Sequence, residues 1–182
     1  MKKITYIGVL LSVVMILTSC TFANIKLPFL SDSATQSPSS EITPTAAMQA
    51  KKHNPSVVDN AKLLTDKEID NLNDMLDRIS YTYNLDVSIY TEEVMQQDNA
   101  QDAADNIYDN NNYGIGESSD GILLYISKSP RNYHITTTGK AIQIFTQPKL
   151  LEIDNNILDY LKNNKYYDAF WAYGTTVEKL LN

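Results

Sequence analysis

The chain has 182 residues, a formal net charge of −7 and a single cysteine. An acidic chain of this kind is repelled by phosphate backbones, so nucleic-acid binding is disfavoured and cations are the charged partners that it attracts. One cysteine excludes an internal disulfide, and the chain lacks the Cys and His cluster that a structural zinc ion requires.

The first residues have the pattern of a bacterial lipoprotein signal. Lys2 and Lys3 precede an apolar run over residues 4–17, which is shorter than the about 20 residues that a membrane-spanning helix needs. The tetrad Leu17-Thr18-Ser19-Cys20 then resembles a lipobox, in which the cysteine receives the lipid and becomes the first residue. We therefore predict a signal peptide over residues 1–19. Cys20 is predicted to carry acyl chains such as palmitate and to anchor the protein to the cell membrane, on its extracytoplasmic face.

The chain changes composition after the predicted signal. Residues 20–56 are rich in serine, threonine and proline and show no apolar periodicity, which predicts a lipid-anchored flexible linker. Residues 57–182 have the length of one globular domain. We therefore expect a single folded domain that is held away from the membrane by a tether.

Apolar periodicity within residues 57–182 predicts alternating strands and helices. Predicted strands cover residues 57–59, 87–90, 121–126 and 133–137, the last two joined as a hairpin by the turn at 129–132. Predicted helices begin after the capping box of Thr65 and Glu68, at Asp98 or Asn99, at Pro148, and near Tyr166. The order β-α-β-α-β-β-α-α predicts an α/β fold, with a mixed sheet of about four strands and helices on both faces.

Carboxylates are the main candidates for chemistry in this domain. Its one histidine, His134, lies in an alternating strand, and no Gly-x-Ser-x-Gly motif occurs, so a nucleophile and base pair has no support. Asp59 ends the first predicted strand, while Glu117 and Asp120 precede the third. If these acids meet at one edge of the sheet, their oxygen atoms suit Ca²⁺ or Mg²⁺. If they do not, they are solvated loop acids, which is the commoner condition.

Several segments then follow one another in a recognisable order. They are Val58–Thr65, Asn84–Tyr90, Ala103–Tyr108, Gly114-Ile115-Gly116, Asp120–Ile126, Arg131–Gly139 and Tyr166–Phe170. In this order and spacing they resemble the TPM domain family, which includes a thylakoid-lumen protein of photosystem II repair and many bacterial envelope proteins. The resemblance implies an αβα sandwich with a mixed sheet. It also implies the acid phosphatase activity and Ca²⁺ binding that have been attributed to family members.

The chain both matches and departs from the family pattern. Asp59 and Asp120 match the family's recurring acids. Lys140-Ala141 replaces a glycine-containing turn, and Gln147 stands where an aspartate is common. The loss of that carboxylate weakens the case for metal binding and for metal-assisted hydrolysis of phosphate esters.

Two functions stay open at this point. The favoured one is a non-catalytic binding or interaction module, anchored outside the membrane and contacting an envelope protein partner. Asp59, Glu117 and Asp120 are its candidate metal ligands, with Ca²⁺ or Mg²⁺ as the candidate cofactor. We favour it because function has to be argued from a site, and the catalytic site here is incomplete.

The alternative is a weak metal-assisted acid phosphatase, that is, a phosphomonoesterase. In that hypothesis Asp59, Asp120 and Thr138 surround a metal ion that polarises the phosphoryl oxygens. The phosphate itself is bound by Thr138, Arg131 and Lys140. Arg131 and Lys140 are the nearby basic groups in the sequence that could neutralise substrate charge. The two hypotheses differ in whether replacing Asp120 abolishes turnover of a phosphate ester.

Overall fold

The computed structural model of the chain describes residues 54–182. The predicted signal, the predicted lipidation site Cys20 and most of the predicted linker lie outside these residues. Within the described range, no helix is both long enough and apolar enough to cross a membrane.

Strands and helices alternate along the first two thirds of the described chain, and helices follow. The strands are β1 (Val57–Asp59), β2 (Asp86–Val94), β3 (Gly121–Ser129) and β4 (Asn132–Thr138). The helices are α1 (Asp66–Tyr83), α2 (Ala100–Asn110), α3 (Ala141–Ile144), α4 (Gln147–Lys162) and α5 (Tyr166–Leu181).

The four strands form one mixed sheet in the order β1-β2-β3-β4. β1, β2 and β3 are parallel, and β4 is antiparallel to β3. Asp59 pairs with Thr91, which in turn pairs with Ile126, and Gly121 pairs with Thr138. The mixed four-stranded sheet predicted from the sequence is therefore confirmed.

The central strand β3 is buried on both faces. Ile122 and Leu124 lie in one apolar core with residues of α1, α4 and α5, whereas Leu123 and Tyr125 pack on the opposite face against α2. Burying one such aliphatic side chain contributes about 1.5–3 kcal/mol to folding. Helices therefore cover both faces of the sheet, as the predicted αβα sandwich requires.

Residues next to the helix determine where α1 begins and where it ends. The Thr65 backbone N–H donates to Glu68 Oε2 at 2.7 Å, and the Glu68 N–H donates to Thr65 Oγ1 at 3.4 Å, so the predicted capping box forms. The helix ends at Asn84, which adopts a left-handed conformation with φ of 48°. Asn99 caps α2, because its side chain accepts from the Asp102 N–H at 2.8 Å.

Some boundaries differ from the predicted ones. β2 and β3 run past the predicted ends at Tyr90 and Ile126, because the two strands continue to pair as far as Val94 and Ser129. A short helix, α3, follows β4 where no helix was predicted. α4 begins at Gln147, one residue before Pro148.

Candidate functional site

The two acids that match the family pattern lie at opposite edges of the sheet. Through the strand pairing, Asp59 lies beside Thr91 and at the same height in the sheet as Ile126 of β3. Asp120 directly precedes the first residue of β3, so Asp59 and Asp120 are offset by six residues along the strands. That offset corresponds to about 20 Å along the strand direction. The structure therefore does not bring Asp59 and Asp120 together, and these acids do not form one set of oxygen ligands. Within residues 54–182, no three His, Cys, Asp or Glu side chains are arranged to hold a metal ion.

The Asp59 carboxylate holds the turn between β1 and α1. Its Oδ2 accepts from the Leu64 N–H at 2.9 Å, and its Oδ1 accepts from the Thr91 hydroxyl group. Thr91 Oγ1 in turn accepts from the Ala61 N–H at 3.1 Å. Both carboxylate oxygens therefore have partners from the protein in a connected network.

Glu117 and Asp120 belong to one tight turn that leads into β3. The Asp120 N–H donates to the Ile115 carbonyl at 2.9 Å, and the Ile115 N–H donates to the Asp120 carbonyl at 3.0 Å. Glu117 lies within the turn that these bonds close, and its side chain is exposed. Ser119 adopts a left-handed conformation with φ of 50°. The turn therefore places both acids at the edge where β3 begins, with Glu117 in solvent.

Asp120 also contacts the segment that follows β4. Its Oδ1 accepts from the backbone N–H of Lys140 at 2.8 Å, and its Oδ2 lies 3.8 Å from the Lys140 ammonium. The Asp120 side chain is 18% exposed. This carboxylate therefore links the start of β3 to the turn between β4 and α3.

The predicted phosphate-binding residues are divided between the two edges. Thr138 pairs with Gly121, so Thr138 and Lys140 lie on the same edge as Asp120. Arg131 lies in the turn before β4, seven residues from Thr138, or about 24 Å away along the strand direction. Its guanidinium donates to the Leu161 carbonyl near the end of α4. Thr138 and Lys140 are thus brought together, and Arg131 is not.

A buried carboxylate that the sequence analysis did not single out lies near Asp120. Asp86 is 3% exposed, its Oδ2 accepts from the Gly114 N–H at 2.8 Å, and its backbone N–H donates to the Asp120 carbonyl at 3.0 Å. Burial, with a further contribution from the Asp86 charge, raises the pKa of Tyr108. The neutral Tyr108 hydroxyl donates to the Ser119 carbonyl at 2.8 Å. These groups hold the turn before β3 against the sheet.

An acidic cleft of about 370 Å³ lies along α2 and the loop before it. Its lining residues are Gln96, Gln97, Asp98, Asp102, Asp105, Asn106 and Asp109. Asp105 accepts from the hydroxyl of Thr136 on β4. The cleft concentrates negative charge on the side of the sheet that α2 covers.

A second groove, of about 330 Å³, lies between the β3–β4 hairpin and the carboxyl-terminal half of α4. Its apolar lining comes from Ile126, Leu158 and Leu161, its aromatic lining from Tyr133 and Tyr166, and its basic groups are Arg131 and Lys162. We call this feature the hairpin groove. It combines apolar, aromatic and basic side chains on an otherwise acidic chain.

Hydrogen bonds fix the walls of the hairpin groove. The bond from Arg131 to the Leu161 carbonyl joins the hairpin to α4. The Tyr133 hydroxyl donates to Asp154 Oδ1 at 3.3 Å, and burial together with the Asp154 charge raises the pKa of Tyr133 to about 12. Burial also raises the pKa of Asp154 above its ordinary value. The groove is therefore held by contacts within the domain.

Two solved structures from bacteria have the same fold as this chain. The N-terminal domain of a P. gingivalis protein, determined by NMR in solution, has a TM-score of 0.62 at 17% identity, covering 70% of this chain and 82% of that chain. The N-terminal domain of the cg2496 protein from Corynebacterium glutamicum, also determined by NMR, has a TM-score of 0.57 at 13% identity, covering 82% and 86%. At these identities the similarity establishes the fold alone.

No individual curated protein matches the chain. The sequence does match the model of a known family. A family model described as the TPM domain matches residues 57–180, which is nearly all of the described domain. The chain therefore belongs to the TPM domain family.

Proposed function

We propose that this TPM-domain chain is a membrane-anchored, extracytoplasmic lipoprotein whose domain acts as a binding module for an envelope protein partner. The observation that carries the binding role is the hairpin groove. Its volume of about 330 Å³ lies within the range of ligand-binding clefts. Tyrosine and arginine, which both line it, are enriched at protein interfaces.

The side chains of the groove favour an acidic segment that also carries apolar side chains. Ile126 and Leu161 offer apolar surface, and Arg131 can form charge-assisted hydrogen bonds with a carboxylate. Lys162 is 62% exposed, and its ion pair with Asp159 at 3.7 Å is weak because both partners are in solvent. The positive groups of the groove give local charge complementarity with such a partner, against the net negative charge of the chain.

This proposal assigns no divalent cation to the groove. The expected Ca²⁺ or Mg²⁺ site stays a prediction, and Asp59, Glu117 and Asp120 do not support it as a set, because Asp59 lies at the opposite edge from the other two. A shift in melting temperature of the mature chain between EDTA and added Ca²⁺ or Mg²⁺ tests it directly.

The geometry does not favour the phosphatase alternative. Arg131 is separated from Thr138 and Lys140 by the length of β4. The Lys140 ammonium donates to the Asn84 carbonyl at 2.7 Å and lies near Asp120. A phosphate held by Thr138 and Lys140 would therefore lie beside the Asp120 carboxylate, whose charge repels it.

The anchoring part of the proposal rests on the sequence pattern that ends at Cys20. The test is metabolic labelling of cells that produce the full chain with an alkyne analogue of palmitate. We expect the wild-type chain to be labelled and to fractionate with membranes. The Cys20→Ser chain should carry no label and retain its signal. A wild-type chain without label would contradict lipidation.

The binding part can be tested with a peptide probe of defined chemistry. The probe is an acetylated peptide of alternating glutamate and phenylalanine residues, and the control peptide has lysines in place of the glutamates. We expect the mature chain to bind the acidic peptide and not the basic one. Reversing both basic groups, in Arg131→Glu/Lys162→Glu, should weaken binding by at least about tenfold, the equivalent of 1.4 kcal/mol.

A matched double variant controls for the change in net charge. Lys67→Glu/Lys179→Glu alters two exposed lysines on α1 and α5, outside the hairpin groove, by the same total charge. Binding should be nearly unchanged in this variant. Equal weakening in both double variants would mean that the peptide responds to net charge alone, and the groove would lose its assigned role.

A further inference from the structure

The Lys140 ammonium lies among oxygen atoms from two separate parts of the chain. Lys140 Nζ donates to the Asn84 carbonyl at 2.7 Å and to the Tyr83 carbonyl at 3.4 Å, and lies 3.8 Å from Asp120 Oδ2. The two carbonyls belong to the end of α1, and Asp120 directly precedes β3. One side chain therefore connects α1, β3 and the turn after β4.

These oxygen atoms are of the kind that binds hard cations. Carboxylate and backbone carbonyl oxygens are the usual protein ligands of Ca²⁺. The carbonyl end of a helix also carries partial negative charge, and the last turn of α1 contains no basic residue of its own. The corner formed by Tyr83, Asn84 and Asp120 therefore attracts positive charge, and Lys140 supplies it.

We propose that the Lys140 ammonium is a built-in substitute for a divalent cation in this corner. The amine neutralises Asp120 and the end of α1, and it repels a second cation from the same oxygens. The wild-type chain is therefore independent of divalent cations here. Removing the amine leaves an oxygen set, completed by water, that takes Ca²⁺. This inference concerns the opposite edge of the sheet from the hairpin groove and does not depend on the binding role.

The test compares thermal melts of the mature chain, residues 20–182 with Cys20→Ser, and of the same chain with Lys140→Met. Methionine keeps the length of the side chain and removes the charge. In EDTA we expect Lys140→Met to melt below the wild type. About 10 mM CaCl₂, compared with NaCl of equal ionic strength, should raise its melting temperature by about 5 °C and leave the wild type unchanged.

Two further variants make the result specific to this corner. The first is Lys149→Met, which also removes an ammonium that donates to a backbone carbonyl, that of Leu180, at 3.0 Å. Within the described residues, no carboxylate forms an ion pair with Lys149. Its melting temperature should not respond to Ca²⁺. Adding Asp120→Asn to Lys140→Met should remove the response, because the asparagine keeps an oxygen for the Lys140 backbone contact and loses the charge.

Two results would overturn the proposal. One is a Ca²⁺ response of the wild type equal to that of Lys140→Met, which would place a cation site elsewhere. The other is the absence of a response in Lys140→Met, which would mean that these oxygens form no cation site. If Lys140→Met is unfolded in EDTA, recovery of its helical circular dichroism with Ca²⁺ supports the proposal, and no recovery overturns it.

Discussion

Gly139 lies against the carboxylate of Asp120 so closely that a Cβ atom on the glycine would be 2.1 Å from Asp120 Oδ1. Gly139 also has a φ of +62°, a conformation that costs other residues about 1–2 kcal/mol. We expect Gly139→Ala to lower the free energy of unfolding by about 2–4 kcal/mol, because strain and the clash act together. Urea denaturation measures this loss.

Gly116 provides the control for backbone strain alone. Its φ is +77°, but a Cβ atom there would meet nothing within 4 Å. Gly116→Ala should therefore cost only the conformational part, about 1–2 kcal/mol. Similar losses for the two variants would show that the contact between Gly139 and Asp120 contributes nothing.

Asp59 is expected to be a structural residue. Asp59→Ala removes the acceptor for the Leu64 N–H and for the Thr91 hydroxyl, so it should lower the free energy of unfolding by about 2–3 kcal/mol. The loss should be equal in EDTA and in Ca²⁺, because the carboxylate serves these two donors. Paired urea curves test this, and a larger loss in Ca²⁺ would instead identify Asp59 as a cation ligand.

Asp120 distinguishes the binding module from the phosphatase. We expect the mature chain to hydrolyse p-nitrophenyl phosphate no faster than the buffer does, with or without Mg²⁺, and Asp120→Asn to behave identically. The reason is the separation of Arg131 from Thr138 and Lys140. Turnover by the wild type that disappears in Asp120→Asn, with the fold retained by circular dichroism, would establish the phosphatase alternative.

Asp154 makes stability depend on pH. Burial raises its pKa, so the folded state holds the proton more tightly than the unfolded chain does. The stability that this provides is complete below the ordinary pKa of about 4 and is lost as the pH rises through the raised value. In Asp154→Asn the asparagine keeps an oxygen that accepts from the Tyr133 hydroxyl, but it does not ionise. The loss of stability with rising pH should therefore be absent from this variant.

We therefore expect Asp154→Asn to melt above the wild type at neutral pH. The difference should shrink as the pH falls toward 4. Melting curves of both chains across this range measure it. A difference that does not change with pH would show that ionisation of Asp154 has no part in it.

Most of the fold could be predicted because its signals are local. The capping box of Thr65 and Glu68 and the apolar run that begins at Gly121 each marked an element that the structure contains. The extensions of β2 and β3 could not be predicted, because they depend on pairing between residues such as Val94 and Ser129 that are distant in sequence. Local composition carries no information about such pairing.

The candidate sites were harder to predict than the fold. Asp59 ends a strand and Asp120 precedes one, so in a parallel sheet they lie at opposite edges, but the sequence did not establish that the strands are parallel. Asp86 resembles a solvated loop acid in sequence, although it is buried. The hairpin groove depends on how α4 packs beside Arg131, which is a long-range contact.

The measurement that tests the binding role most directly is an NMR titration of the ¹⁵N-labelled mature chain with the acidic peptide of alternating glutamate and phenylalanine. The account predicts that the largest amide shift changes map to residues of the hairpin groove, including Arg131, Tyr133, Lys162 and Tyr166. Changes that are absent, or that centre on the Asp120 edge of the sheet, would contradict it.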